Sequence, residues 1–200
     1  MTQVLIIGAS RGIGLELVKQ HRERGDTVVA TARDDASLEK LKALGATPIK
    51  LEVSDVVSIA GLAWQLDGYQ FNRVLYVAGL YGPKTIGLQP PSASSSCGST
   101  RIGILSSRMG SLTLRANSAG WVYRASKAAV NSVMKDLSLT LDGRAICVSL
   151  HPGWVKTDMG GQEADIDVAT SASSLRAVLD GLKPGDNGGF FNYDGSPLPW

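Results

Sequence analysis

The chain has 200 residues, of which 44% are hydrophobic and 19% are charged, and its formal net charge is +2. A chain of this length and composition can bury a continuous apolar core without disulfides or metals. Charges of both signs are interspersed without a basic block, which argues against nucleic acid as a partner. We therefore expect one domain spanning residues 1–200.

The two cysteines are Cys97, in a Ser/Gly-rich stretch, and Cys147, inside an apolar run at 145–150 where a buried core thiol is expected. This pattern favours a reducing compartment. The apolar run at 4–7 is too short for a signal peptide, and no stretch approaches the roughly 20 apolar residues that cross a bilayer. We expect a cytoplasmic protein without membrane contact.

Apolar periodicity and glycine positions predict alternating strands and helices. A strand at 4–7 runs into glycines, and a helix follows from Gly12 until Gly25 ends it. Ser54 is the predicted N-cap of the third helix. Further strands are predicted at 27–31, 47–53, 72–77, 102–105, 145–150 and 189–193, with helices at 36–44, 54–66, 120–141 and 167–182. This order predicts an α/β fold with a doubly wound, mainly parallel sheet.

The segment QPPSASSSCGST at 89–100 is the low-complexity part of the chain and is predicted to be a loop. It lies between the fourth and fifth strands, which should be parallel neighbours. Such a connection normally carries a helix across the sheet face. The sequence therefore predicts a shortened crossover at this place.

A glycine-rich turn, GASRGIG, joins the first strand to the first helix. Glycines let the backbone approach a pyrophosphate, and the helix N-terminus supplies N–H donors. The spacing G-x-x-x-G-x-G resembles that of the short-chain dehydrogenase/reductase superfamily, which implies a Rossmann-type fold. The alternative is a turn that binds nothing. The resemblance implies cofactor contacts from Gly8, Ser10, Arg11, Gly12, Ile13 and Gly14.

The end of the second strand bears on which cofactor binds. An NAD-preferring enzyme places a carboxylate there against the ribose 2′-hydroxyl, whereas this chain has an alanine followed by Arg33. Arg33 and Arg11 together suit a 2′-phosphate, because guanidinium groups match phosphate oxygens. We therefore expect NADP(H) to be preferred over NAD(H). The alternative is that both arginines are solvated surface residues. We expect Asp34 and Asp35 to be solvated surface residues as well.

Tyr123 and Lys127 stand four residues apart near the start of the long predicted helix and share one face of it. An ammonium beside a tyrosine favours the phenolate. The Tyr-x-x-x-Lys pattern by itself also fits a core aromatic and a solvated lysine. In the superfamily a strand-end serine contacts the substrate carbonyl, and Ser-Ser-x-x-Gly points to Ser107. Ser106 is the alternative candidate. Without a catalytic role it would be a hydroxyl at a strand end or turn.

Three further segments resemble cofactor-binding parts of the superfamily. The HPGWVKT segment at 151–157 resembles Pro-Gly-x-x-x-Thr, which meets the nicotinamide carboxamide. Residues 52–53 stand where an Asp-Val pair flanks adenine, and residues 78–79 stand where the backbone passes under the cofactor. Besides Tyr123 and Lys127, the resemblance implies contacts from Glu52, Val53, Ala78, Gly79, Pro152, Gly153, Val155 and Thr157.

The stretches LYGP, LSSRMGS, HPGWVKTDMGG and NYDGSPLPW are similar to bacterial C-factor-like and sniffer-type carbonyl reductases. Relatives carry, before the fifth strand, a helix whose asparagine completes a catalytic tetrad and supports a proton-relaying water. This chain has no asparagine between Gly79 and Asn117. The same helix lies in the family's common subunit interface, so a homodimer or tetramer would lack it. We expect Val130, Val133, Met134 and Leu137 to pack against the chain's own sheet.

Two hypotheses follow. The first is an NADP(H)-dependent oxidoreductase for small carbonyl or alcohol substrates, in which Tyr123 is general acid/base, Ser107 polarises the carbonyl, and Lys127 tunes Tyr123 and orients the ribose. The second is a nucleotide-binding homologue with weak or no turnover that acts in signalling or partner binding. No metal is expected, because neither His21 nor His151 has neighbouring candidate ligands.

Overall fold

The protein is described by a computed structural model that covers residues 1–78 and 100–200. Its strands are β1 (Gln3–Ile7), β2 (Thr27–Ala32), β3 (Thr47–Lys50), β4 (Arg73–Tyr76), β5 (Thr100–Leu105), β6 (Ala145–His151) and β7 (Phe190–Asn192). Its helices are α1 (Gly12–Glu23), α2 (Asp35–Ala43), α3 (Val56–Gln65), α4 (Trp121–Thr140) and α5 (Val168–Gly181). Short 3-10 turns lie at Arg108–Gly110 and Pro184–Asp186.

The strands form a seven-stranded sheet in the order β3-β2-β1-β4-β5-β6-β7, and every neighbouring pair is parallel. The predicted doubly wound parallel sheet is thereby confirmed. The chain order reverses between β1 and β4, and open α/β sheets bind ligands outside the carboxyl ends of the strands at such a point.

Helices cover both faces of the sheet, and each face has its own apolar cluster. Leu17 of α1 and Leu175 of α5 pack on one face. Val130 and Met134 of α4 pack on the other, with Leu137 partly buried beside them. Burial of a side chain of this size contributes about 1.5–3 kcal/mol. The expectation that this side of α4 packs against the chain's own sheet is confirmed for these residues.

The start of α3 differs from the prediction. Asp55, not Ser54, is the N-cap, and its carboxylate accepts hydrogen bonds from the backbone N–H groups of Val57 and Ser58. Ser54 instead donates its hydroxyl hydrogen to Glu52 Oε1 at 2.7 Å. The predicted cap is wrong because a side chain one residue further on reaches both free amides of the first turn.

The connection between β4 and β5 falls on residues 79–99, outside the described residues. The predicted shortened crossover, Gly79, Cys97 and residues 89–99 of the loop predicted at 89–100 therefore lie outside the described residues. Thr100 begins β5 and is not part of that loop. Among the helices within 1–78 and 100–200, none has the length and apolar character needed to cross a membrane.

Candidate active site

The glycine turn is packed tightly between the ends of β2 and β4. Gly8 has a φ of +91°, and a Cβ there would lie 2.6 Å from the backbone nitrogen of Ala78. A Cβ on Gly14 would overlap the Gly8 carbonyl oxygen. Thr31 fixes the turn from β2, because its hydroxyl accepts from Gly8 N–H at 3.1 Å and its carbonyl from Ala9 N–H at 2.8 Å. Larger residues at the two glycine positions would displace the backbone.

The N-terminus of α1 is open to a ligand. Arg11 is the N-cap residue and makes no capping side-chain bond, and the first turn holds no acidic residue. The first bond along the helix runs from Leu15 N–H to the Arg11 carbonyl at 3.3 Å, so the amides before it point out of the helix end. Ile13 packs its side chain against the core, while Ser10 is half-buried beside it. Uncapped amides at a helix N-terminus fit a phosphate group.

The two arginines predicted to bind a 2′-phosphate lie at the surface, each beside a carboxylate. Arg11 pairs with Asp158 at 2.8 Å, and their side chains are 76% and 79% exposed. Arg33 lies 3.8 Å from Glu52, with exposures of 57% and 38%. Glu52 also accepts the bonds from Ser54. Exposed ion pairs of this kind are weak, so a phosphate can compete for both guanidinium groups.

The start of α4 carries the Tyr-Lys pair. Gly120, with a φ of +67°, is the N-cap and turns the chain into the helix, which places Tyr123 in its first turn. Lys127 Nζ lies 5.9 Å from the centroid of the Tyr123 ring and donates to the Leu105 carbonyl at 3.0 Å. Burial lowers the pKa of Lys127 below its usual value. A half-buried ammonium therefore stands beside the tyrosine.

The 3-10 turn after β5 brings the serines to this helix. A Cβ on Gly110 would lie 2.8 Å from the backbone carbon of Lys127, so the turn approaches α4 closely at the lysine. Ser106 and Ser107 are both buried. The elements that carry Ser107 and Lys127 therefore touch, and the structure brings these two residues and Tyr123 to one edge of the sheet.

The two serines differ in their hydrogen bonds. Ser106 Oγ donates to the Lys127 carbonyl at 3.3 Å, so its hydrogen is engaged within the fold. Ser107 Oγ accepts from Met109 N–H at 3.2 Å, and no described residue accepts its hydrogen. Among the described residues, Ser107 is thus the serine whose hydroxyl hydrogen is left without an acceptor.

The loop after β6 reaches the glycine turn. It begins at Pro152 and Gly153, the latter with a φ of +86°. Val155 is buried, and Thr157 Oγ1 donates to its carbonyl at 3.3 Å while accepting from Gly160 N–H at 3.1 Å. The Thr157 hydroxyl is therefore bonded within its own loop.

The other residues predicted to bind the cofactor lie around the glycine turn. A Cβ on Gly12 would lie 3.7 Å from Thr157 Cγ2, so this loop and the glycine turn are in contact distance. On the other side of the turn, Val53 is partly buried against the α4-side core. Ala78 also packs against that core, beneath Gly8. The described residues predicted for the cofactor thus follow the carboxyl edge of the sheet.

Three residues of this region were not predicted as site residues from the sequence. Thr31 fixes the glycine turn, and its signal was its position at the end of β2. Asn131 lies one helical turn beyond Lys127, and a buried amide on an otherwise apolar helix face is the signal that was available. His151 ends β6; burial and the positive charge of Arg108 lower its pKa to about 4. Its Nδ1 has no hydrogen-bond partner within the described ranges.

Sequence comparisons place the chain among known proteins. A family model described as short chain dehydrogenase matches residues 2–66. C-signal of Myxococcus xanthus is 42% identical over 101 residues, which are 50% of this chain and 61% of that protein. The 1-hydroxy-2-glutathionyl-2-methyl-3-butene dehydrogenase of Rhodococcus sp. (strain AD45) is 30% identical over 232 aligned positions that cover 100% of both chains. The chain belongs to the short-chain dehydrogenase/reductase family.

Solved structures agree with this assignment. Carbonyl reductase Sniffer of D. melanogaster superposes with a TM-score of 0.86 at 28% identity, covering 100% of both chains. An NADPH-bound carbonyl reductase from chicken fatty liver has a TM-score of 0.84 at 29% identity, covering 100% of this chain and 99% of that one. The Rossmann-type fold and the resemblance seen in the sequence are confirmed. The protein is an oxidoreductase of a family that uses nicotinamide cofactors.

Proposed function

We propose that this member of the family reduces an aldehyde or ketone with NADPH, or oxidises the corresponding alcohol in the reverse direction. The observation that carries the proposal is the half-buried Lys127 ammonium, 5.9 Å from the centroid of the Tyr123 ring, on a helix packed against the turn that bears Ser107. These three groups are the minimum that carbonyl reduction needs: a proton donor, a group that holds the oxygen, and a cation that tunes the donor.

The residues at the carboxyl edge of the sheet fit a dinucleotide. The uncapped N-terminus of α1 would hold the pyrophosphate, and the absence of side-chain atoms at Gly8 and Gly14 lets the backbone approach it. When bound, the nicotinamide would supply the hydride to the carbonyl carbon. Lys127 Nζ uses one hydrogen on the Leu105 carbonyl, so two donors remain for ribose hydroxyls.

The proton chemistry is assigned to the chain's own side chains. Ser107 donates its hydroxyl hydrogen to the substrate oxygen and polarises the carbonyl. Tyr123 gives its phenolic proton to the same oxygen as the alcohol forms, and takes it back in the oxidation direction. Lys127 places positive charge beside the phenol, which favours the phenolate that remains after the proton has left.

The preference for NADP(H) over NAD(H) is part of the proposal. Arg11 and Arg33 supply positive charge at the two sides of the glycine turn, and within residues 1–78 and 100–200 each forms an exposed ion pair. A ribose 2′-phosphate would be bound by both guanidinium groups through charge-assisted hydrogen bonds. A 2′-hydroxyl would gain much less from them.

The deciding experiment compares the parent protein with Tyr123→Phe. NADPH oxidation is followed with a panel of aldehydes, ketones and quinones, and NADPH binding is measured separately. We expect turnover to fall by a factor of about 100 or more in the variant, because the general acid is lost, while NADPH affinity stays the same. A parent protein that binds NADPH but turns over no carbonyl of the panel would refute the proposal.

The second candidate is a nucleotide-binding protein that acts through a partner and has little turnover. The match to a protein named C-signal, at 42% identity over half of this chain, favours it. The same experiment separates the two candidates. Tight NADPH binding, equal in parent and Tyr123→Phe and without turnover in either, is the outcome that this candidate predicts.

A further inference from the structure

The loop after β6 and the glycine turn are joined by an ion pair between distant parts of the chain. Arg11 Nη1 donates to Asp158 Oδ2 at 2.8 Å, and the two residues are 147 positions apart in sequence. Beside the pair, a Cβ on Gly12 would lie 3.7 Å from Thr157 Cγ2. The loop therefore meets α1 at Arg11 and Gly12, the helix end at which no side chain caps the first amides.

Asp158 differs from other aspartates at helix starts and turns of this chain. A backbone N–H two or three residues later donates to the carboxylate of each of Asp34, Asp55, Asp167 and Asp194. Such local bonds hold an aspartate within its own turn. The bond that the structure gives Asp158 is instead to a side chain of another element. The position of this carboxylate thus depends on Arg11.

The loop around Asp158 is closed by bonds that do not involve its carboxylate. Gly161 N–H donates to the Thr157 carbonyl at 2.9 Å, and the indole N–H of Trp154 donates to the Gly160 carbonyl at 2.8 Å. The Asp158 side chain is 79% exposed and fills no space in the core. Replacing the carboxylate by an amide should therefore remove the ion pair and leave the loop folded.

The two carboxylates beside the predicted phosphate-binding arginines are not equivalent. Glu52 lies 3.8 Å from Arg33, and its Oε1 already accepts from the N–H and the hydroxyl of Ser54. Asp158 lies 2.8 Å from Arg11, within hydrogen-bond distance. The attraction between opposite charges weakens with distance. Asp158 is therefore the stronger of the two competitors for an anionic ligand.

We propose that Asp158 is a specificity-determining residue for the cofactor, because its carboxylate holds Arg11 in the free protein and must give way to a ligand phosphate. A guanidinium group binds carboxylate and phosphate through the same N–H donors. A cofactor with a ribose 2′-phosphate gains Arg11 only by breaking the pair, whereas a cofactor with a 2′-hydroxyl leaves the pair intact.

Asp158 therefore lowers the affinity for NADPH and leaves the affinity for NADH unchanged, which reduces the difference between the two cofactors. The effect is small, since the side chains of the pair are 76% and 79% exposed and solvent screens their attraction. We expect about twofold to fivefold in NADPH affinity, the range that exposed ion pairs cover. The role of Asp158 rests on the NADP(H) preference in the proposed function and does not depend on carbonyl turnover.

The first test measures binding alone. Isothermal titration with NADPH and with NADH compares the parent with Asp158→Asn, which removes the charge and keeps nearly the same shape. Asp165→Asn removes the same charge from another exposed aspartate between β6 and α5 and is the matched control. We expect NADPH affinity to rise about twofold to fivefold in Asp158→Asn relative to Asp165→Asn, with NADH affinity alike in the two variants.

Two results of this titration would overturn the proposal. An equal rise for NADPH and NADH would mean that Asp158 acts on both cofactors by general repulsion. A fall in NADPH affinity would mean that the carboxylate helps to hold the bound cofactor instead of competing with it.

The second test is a double-mutant cycle of Arg11→Ala and Asp158→Asn. If Asp158 acts by holding Arg11, the gain in NADPH affinity from Asp158→Asn should disappear in the Arg11→Ala background. Adenosine 2′,5′-bisphosphate and 5′-AMP repeat the comparison without the nicotinamide, and the bisphosphate should follow NADPH while 5′-AMP follows NADH. The same gain with and without Arg11 would refute the role of Asp158.

The outcomes distinguish this role from the proposed function. If the parent binds NADPH and NADH equally and Arg11→Ala changes neither affinity, the NADP(H) preference fails and the role of Asp158 fails with it. If the parent prefers NADPH and Arg11→Ala reduces the preference, while Asp158→Asn behaves like Asp165→Asn, only the role of Asp158 is wrong. Unfolding in urea shows whether each variant is folded before its affinities are compared.

Discussion

The candidate site has a phosphate end at the glycine turn and a catalytic end at Tyr123 and Lys127. The two ends use different parts of the polypeptide. The phosphate end is backbone: glycines without side chains, uncapped amides of α1, and Thr31 bonding to the turn. The catalytic end is made of side chains: Tyr123 and Lys127 of α4 are half-buried, and Ser107, just after β5, is buried. Adding atoms should harm the first end most, and removing or neutralising polar atoms should harm the second. We therefore expect binding and turnover to be lost separately in variants of this chain.

The largest expected effect comes from one methyl group at the phosphate end. In Gly14→Ala the new Cβ would overlap the Gly8 carbonyl oxygen, so the start of α1 must move away from the turn. We expect the free energy of unfolding to drop by about 2–3 kcal/mol. NADPH affinity should fall by a factor on the order of 100, as two charge-assisted bonds to the phosphate are lost. Urea unfolding and isothermal titration measure both.

The matched control is Gly61→Ala, which also replaces a helical glycine. Nothing lies within 4 Å of a Cβ built there, and its helix, α3, is far from the glycine turn in sequence. This variant should gain up to about 1 kcal/mol of stability from helix propensity and bind NADPH like the parent. Equal behaviour of the two alanine variants would show that the turn is not close-packed.

At the catalytic end, His151 should make stability depend on pH. Its folded pKa is about 4, below the value of 6.5 for an unperturbed histidine, so the unfolded chain binds more protons in this window. Stability is therefore lost as the pH falls from about 6.5 to about 4, by about 2–3 kcal/mol from this group. Urea unfolding of His151→Gln over the same range should show a shallower loss. Parallel curves for parent and variant would contradict this assignment.

The smallest effect is expected where the phosphate end depends on exposed charge. Arg33→Ala should weaken NADPH binding about tenfold and leave NADH binding unchanged, because one guanidinium contact to the 2′-phosphate is lost. Arg144→Ala removes an exposed arginine next to the amino end of β6 and is the charge-matched control. If the parent binds NADPH and NADH equally well, the predicted preference is wrong.

The phosphate end and most of the fold could be predicted from the sequence. Glycine spacing, apolar runs and strand–helix alternation are local signals, and they located the turn and the described elements to within a few residues. The cap of α3 was misplaced by one residue, since Ser54 and Asp55 are both good caps and only the backbone geometry decides between them. The third strand ends at Lys50 rather than at 53 because its partner β2 ends at Ala32.

The unpaired polar side chains near the catalytic end could not be predicted. Asn131, Ser149 and His151 are separated in sequence, and local patterns do not show that each has a buried polar atom without a partner among the described residues. The i, i+4 spacing showed that Tyr123 and Lys127 share a face, and extending it by one more turn reaches Asn131. What the spacing does not contain is that β6 carries two polar residues, Ser149 and His151, near its carboxyl end.

The close approach of Gly110 to Lys127 has a mechanical consequence. The serine-bearing turn and the lysine-bearing helix touch where a hydrogen atom replaces a side chain, with the Cβ position only 2.8 Å from the helix backbone. The close packing of the turn against the helix therefore depends on the absence of a side chain at position 110. A side chain at position 110 would push the turn away from α4, so the distance from Ser107 to Tyr123 and Lys127 would increase.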